Sequence, residues 1–147
     1  MSQDALPNMS RLVQIIADLR EHCPWTAQLT HEALTPYLLE EAQEVSEEIA
    51  AGVTGEPLRK ELGDILLQVV LHAAIASERG EFDIDGVAEA ISAKLIRRNP
   101  HVFTPEGHLE PKEATVEEID AAWQRIKAEE KTEEQHRQPG SGAAEVR

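Results

Sequence analysis

Apolar residues along this chain recur at spacings of three and four, which is the period of a helix, and hardly anywhere at the alternation of a strand. Between Met9 and Leu19 the positions Met9, Leu12, Val13, Ile16 and Leu19 fall on one side of a helix, with Asn8 or Ser10 available as its cap. His22 to Leu34 holds Pro24, Trp25 and several short polar side chains, and reads as a loop with room for one helical turn, long enough to cover a pocket. A second helix is predicted to open at Thr35-Pro36 and to stop at Gly52. A third opens at Glu56-Pro57 and runs to Arg79-Gly80. So few residues join these two that they are expected to lie antiparallel. A fourth helix runs from about Asp85 to the residues before Asn99-Pro100. Thr115 and Glu118 form a capping box for a fifth, in which Val116, Ile119, Trp123 and Ile126 keep the period. From residue 131 onward the chain is polar and aperiodic, so the expectation is one domain over 1–130 and a disordered polar tail over 131–147.

In the third helix Ile65, Leu66, Leu67, Val69, Val70, Leu71, Ala73, Ala74, Ile75 and Ala76 cover the whole circumference, so every side requires burial. Few helices remain to surround it, and a second copy of the chain is a natural source of cover. The expected architecture is therefore all-α, an antiparallel bundle of four to five helices dimerising through the third as a homodimer or a dimer of dimers. An aromatic share of 3% leaves the core to Leu, Ile, Val and Ala, which suits helices. The net charge of −14 argues against binding a nucleic-acid polymer or an anionic membrane, and a protein so acidic needs a metal between itself and any phosphate. The single cysteine, Cys23, excludes an intrachain disulfide and fits a reducing compartment. With no apolar run of membrane-spanning length and no signal-peptide pattern, a cytoplasmic location is expected.

The acidic residues are not evenly spread. On the second helix Glu40, Glu41, Glu44, Glu47 and Glu48 project within a sector of roughly 120°, at about 100° per residue, opposite Leu38, Ala42, Val45 and Ile49. Neighbouring like charges cost a few tenths of a kcal/mol per pair, roughly 0.2 to 0.5, and a divalent cation removes that cost. A solvated acidic face is the plainer explanation for one such helix. The third helix adds Glu61 and Asp64 beside its apolar stripe, where an antiparallel hairpin brings them opposite Glu41 and Glu44. Four carboxylates from two helices form an oxygen-only set that suits Mg²⁺ or Mn²⁺ and does not suit zinc. The competing explanation is an ion pair of Glu61 with the adjacent Lys60.

The pattern E-E-x-x-E at Glu40, Glu41 and Glu44, followed by E-x-x-D at Glu61 and Asp64, resembles the MazG-type nucleotide pyrophosphohydrolases of the all-α NTP pyrophosphatase group. Cys23-Pro24-Trp25, PYLLEEAQEV, ELGDILLQVVLHA and KLIRRNPHVF carry the resemblance from about residue 9 to 130. It implies a dimer-forming helical bundle that hydrolyses nucleoside triphosphates between the α- and β-phosphates. Glu41, Glu44, Glu61 and Asp64 would be the metal ligands, and Glu40 a candidate for a second metal or for activating water. The narrower activities of the same group, on dUTP, dCTP or phosphoribosyl-ATP, are the alternative, and a helical interaction module without catalysis is a different class again.

Basic residues are few, which draws attention to Lys94, Arg97 and Arg98 at the end of the fourth helix. Cations there are favourable to the helix dipole in any protein. The resemblance favours a grip on the triphosphate, since Arg forks match phosphate oxygens. Trp25 and Trp123 are both able to stack a nucleobase. Trp123 also fits core packing, while the family pattern pairs it with Lys127 as contacts to base and phosphate. The sequence departs from the usual family form after Trp25, where Thr26 stands for an acid and Leu29 for a glutamine; Thr30 and His31 are retained. His31 and His72 are expected to pack or cap rather than to take part in catalysis.

Overall fold

The computed structural model describes residues 6–137, and among these the regular structure is helical: α1 (Pro7–His22), α2 (Pro24–Ala27), α3 (His31–Ala50), α4 (Glu56–Glu78), α5 (Ile84–Arg98) and α6 (Val116–Arg137). The chain divides into two compact units, Met1–Ala88 and Glu89–Arg147. The expected all-α architecture is present, with five long helices and the single-turn α2 in the loop where one turn had room to form.

Within the first unit, α3 and α4 form an antiparallel hairpin, and α1 packs on α4. The hairpin turn begins at Gly52, whose N–H donates to Ile49 O at 3.0 Å while the next N–H, of Val53, donates to Glu48 O at 2.9 Å. That pair of bonds satisfies the last carbonyls of α3 and requires the positive φ of 77° that glycine adopts freely. Gly80 ends α4 by the same two bonds. The core joins Ile16 of α1, Leu34 of α3 and Val70, Leu71 and Ile75 of α4. It also takes Leu29 from the loop, 7% exposed.

Three boundaries differ from the sequence expectation. Helix α1 starts at Pro7 with Leu6 at the cap position, and neither Asn8 nor Ser10 caps it. Helix α3 starts at His31 rather than at Thr35-Pro36, because Thr30 caps it by accepting from Ala33 N at 3.1 Å. Pro36 then lies inside the helix, and the Glu32 carbonyl that it leaves without an amide partner accepts from the Thr35 hydroxyl at 2.9 Å. Helix α6 continues to Arg137, past the expected start of the tail. Residues 131–137 are rich in Lys, Glu, Gln and Arg, good helix formers, and extend the helix without needing a packed face. The rest of the expected tail, from residue 138, lies outside the described residues.

Burial along α4 is less complete than its composition implied. Gln68, Val70, Leu71, Ala73, Ile75 and Ala76 are buried by the chain itself, whereas Leu62 is half-exposed.

In the second unit the reciprocal bonds of the capping box are present: Thr115 N donates to Glu118 Oε2 at 3.1 Å and Glu118 N to Thr115 Oγ1 at 3.2 Å. The segment between α5 and α6 folds back on itself through an isolated antiparallel bridge between Phe103 and Leu109.

Candidate metal centre

The α3–α4 hairpin places Glu41 against Glu61 and Asp64. One carboxylate oxygen from each lies within 4.8 Å of the others. Glu41 and Glu61 are partly buried, and in both the Oε2 atom is shut off from solvent without a hydrogen-bond partner. Burial pushes both carboxyls above the usual carboxylate range, and the charges of Glu44 and Asp64 push in the same direction. Glu44 lies beside this group of three rather than in it, and Glu40 adds repulsion at Glu41. Glu47 is exposed and accepts from Gln43, one turn away along α3, at 2.9 Å.

No cation of the protein relieves this cluster among the described residues. Lys60 enters no ion pair there, and Arg59 is paired with Glu56, one turn away along α4. The ion pair of Lys60 with Glu61 is thus not formed. Orphaned buried oxygens that repel one another, all hard ligands, fit a divalent cation.

Lys94, Arg97, Arg98 and Lys127, the basic residues expected at the phosphates, belong to the second unit. Arg97 Nε donates to Glu130 Oε1 at 2.5 Å and Arg98 Nη2 to Glu130 Oε2 at 2.9 Å, which lowers the Glu130 carboxyl to about 2. The Arg98 guanidinium also lies over the Trp123 ring, 5.2 Å from its centroid. Arg98 and Trp123 therefore support one another, and Glu130 anchors both arginines, a role the sequence reading did not assign. Its available signal was position, since Glu130 follows Trp123 by seven residues and so shares its face of α6. Lys94 and Lys127 are exposed and form no ion pair among the described residues. In the first unit, Trp25 is 57% exposed on α2.

The loop that carries Trp25 is pinned by a residue not singled out from sequence. Arg20 donates to the carbonyls of Thr26 at 2.6 Å and Leu29 at 2.9 Å, and its other edge meets both oxygens of Glu78. Thr26 and Leu29, the two departures from the family form, are both buried, so their side chains serve packing. His31 and His72 are stacked, with Nδ1 atoms 2.7 Å apart, and link the start of α3 to α4.

Residues 29–103 match the family model described as the MazG nucleotide pyrophosphohydrolase domain, a span that includes the whole carboxylate cluster. The chain belongs to the MazG family. Among curated MazG relatives, a nucleoside triphosphate pyrophosphohydrolase/pyrophosphatase MazG of Thermotoga maritima is 45% identical over 82% of this chain and 44% of its own length. The nucleoside triphosphate pyrophosphohydrolase of Escherichia coli is 41% identical over 85% of this chain and 46% of its own. This MazG chain thus spans about half the length of the curated relatives it matches. The crystal structure of a MazG-related protein from Thermotoga maritima superposes with a TM-score of 0.65 at 26% identity, covering 81% of this chain and 98% of that one.

Proposed function

We propose that this MazG domain hydrolyses nucleoside triphosphates to a nucleoside monophosphate and pyrophosphate, with Mg²⁺ as cofactor and Mn²⁺ as a substitute. The observation that supports this most is the pair of buried, partnerless oxygens of Glu41 and Glu61 beside Asp64. Glu41, Glu44, Glu61 and Asp64 hold the cation. Bound there, it supplies neutralisation of the triphosphate charge and makes water a better nucleophile. Glu40, exposed at the margin of the cluster, accepts the proton of the attacking water. A bond forms from the water oxygen to the α-phosphorus, the bridge to the β-phosphate breaks, and pyrophosphate leaves with its electron pair.

Lys94, Arg97, Arg98 and Lys127 are the candidates to contact the phosphates, and Glu130 pairs with both arginines. Trp25 and Trp123 are candidates to stack the base. The reading includes a homodimer or dimer of dimers through α4, a cytoplasmic location and a role in clearing damaged or surplus nucleotides. The pyrophosphohydrolase names of the Thermotoga maritima and Escherichia coli relatives support the reaction class.

The test is incubation with each ribo- and deoxyribonucleoside triphosphate, with Mg²⁺ and with EDTA, followed by identification of the phosphorus products. Monophosphate and pyrophosphate that form only with metal are expected. Turnover of dUTP or dCTP alone would narrow the reading, and no turnover of any nucleotide would replace it with an interaction module.

A further inference from the structure

Four side-chain atoms among the described residues are buried without any partner: Glu41 Oε2, Glu61 Oε2, Gln68 Oε1 and His72 Nε2. Three of these belong to α4, where Glu61, Asp64, Gln68 and His72 follow one another at spacings of three, four and four, the rows of a single helix face. That face meets α3 on both sides of Gln68. Asp64 lies with Glu41 at one end, and His72 meets His31 of α3 at the other. Gln68 is 5% exposed, a buried amide oxygen between the carboxylate cluster and the histidine pair. An unpartnered amide oxygen of this kind destabilises the protein on its own, and a ligand that donates a hydrogen bond to it would remove that cost.

We propose that Gln68 accepts a hydrogen bond from a sugar hydroxyl of the nucleotide and so discriminates against nucleotides that lack that hydroxyl. This inference rests on the reading of the carboxylate cluster as the phosphate end of the site. A nucleotide sugar is joined to its α-phosphate by one methylene and one oxygen, so its hydroxyls come within about one helical turn, roughly 5.4 Å, of the phosphate. Gln68 stands one turn from Asp64. In the opposite direction α4 soon ends, at the exposed Glu56–Arg59 pair, and offers no buried acceptor. An amide oxygen only accepts, and a sugar hydroxyl donates. The 2′- and 3′-hydroxyls share this chemistry, and substrates lacking one or both distinguish them. A site built to bond a hydroxyl discriminates against the analogue without it, because the acceptor is then left unpaired.

The test compares kcat/KM for the ribo-, 2′-deoxyribo- and dideoxyribonucleoside triphosphates of one base, in the wild type and in Gln68→Leu. The wild type is expected to lose about tenfold at the step where the bonded hydroxyl is removed, and Gln68→Leu to lose that discrimination. In the absence of metal and nucleotide, Gln68→Leu is expected to melt no lower than the wild type, because a partnerless buried group has been removed. Its Mn²⁺ affinity by calorimetry should match the wild type. If the leucine variant fails to fold, Gln68→Met keeps the unbranched length and serves instead. Equal use of all three substrates by the wild type, or an unchanged ratio in the variant, would overturn the role of Gln68 while leaving the hydrolase reading standing. A wild type that cleaves none of them would overturn both.

Discussion

At the scale of single residues the chemistry is concentrated in carboxylates that the fold holds in an unfavourable state. Asp64→Asn and Glu44→Gln keep the shape of the side chain and remove its charge. Each is expected to lower kcat/KM by more than about a hundredfold without unfolding the protein, measured by steady-state kinetics beside circular dichroism. The raised Glu41 and Glu61 carboxyls also give a sign to the pH dependence. Between the ordinary carboxylate pKa and their raised values, the folded state binds more protons than the unfolded chain, so stability falls as pH rises through that window. In EDTA the melting temperature should therefore decline over that range, and Mg²⁺ should remove the decline, because the bound cation replaces the protons. A metal-free protein with no such decline would mean that neither burial nor mutual repulsion raises these carboxyls. The carboxylate cluster was legible in the sequence because helical spacing fixes which carboxylates share a face. Gln68 was not, because a glutamine amid apolar residues reads as core until the lack of any partner is visible.

At the scale of elements, what sequence conveyed depended on whether the signal was local. Gly52 and Gly80 end α3 and α4 through bonds within their own turns, and both stops were legible. The start of α3 was not. Thr35-Pro36 looks like a helix opening, but Thr30 caps the helix a turn and a half earlier and Thr35 spends its hydroxyl on the Glu32 carbonyl. Thr35→Val retains the shape and removes that bond, and a loss of about 1 kcal/mol is expected from denaturant unfolding. The arginines of α5 show the opposite limit. Their positive charge stands out in an acidic sequence, but their engagement with Glu130 and Trp123 depends on how α6 packs against them.

At the scale of the molecule, the composition of α4 suggested a helix covered on all sides, and the chain covers only part of it. Leu39, Ile49 and Leu62 of the α3–α4 hairpin remain 71%, 57% and 50% exposed. Apolar exposure on that scale fits a surface that meets another copy. Sedimentation equilibrium is expected to give two or four times the chain mass, and Leu62→Glu to shift the distribution toward the single chain. A wild-type protein that sediments as one chain at micromolar concentration would remove α4 as an interface.

Cleavage at the α-phosphorus driven by the α3–α4 carboxylates is tested by running the reaction with Mg²⁺ in ¹⁸O-labelled water and following the label by phosphorus NMR. Label is expected in the monophosphate, with none in the pyrophosphate and no product with Asp64→Asn. Label in the pyrophosphate, or products unaffected by the Asp64 substitution, would contradict it.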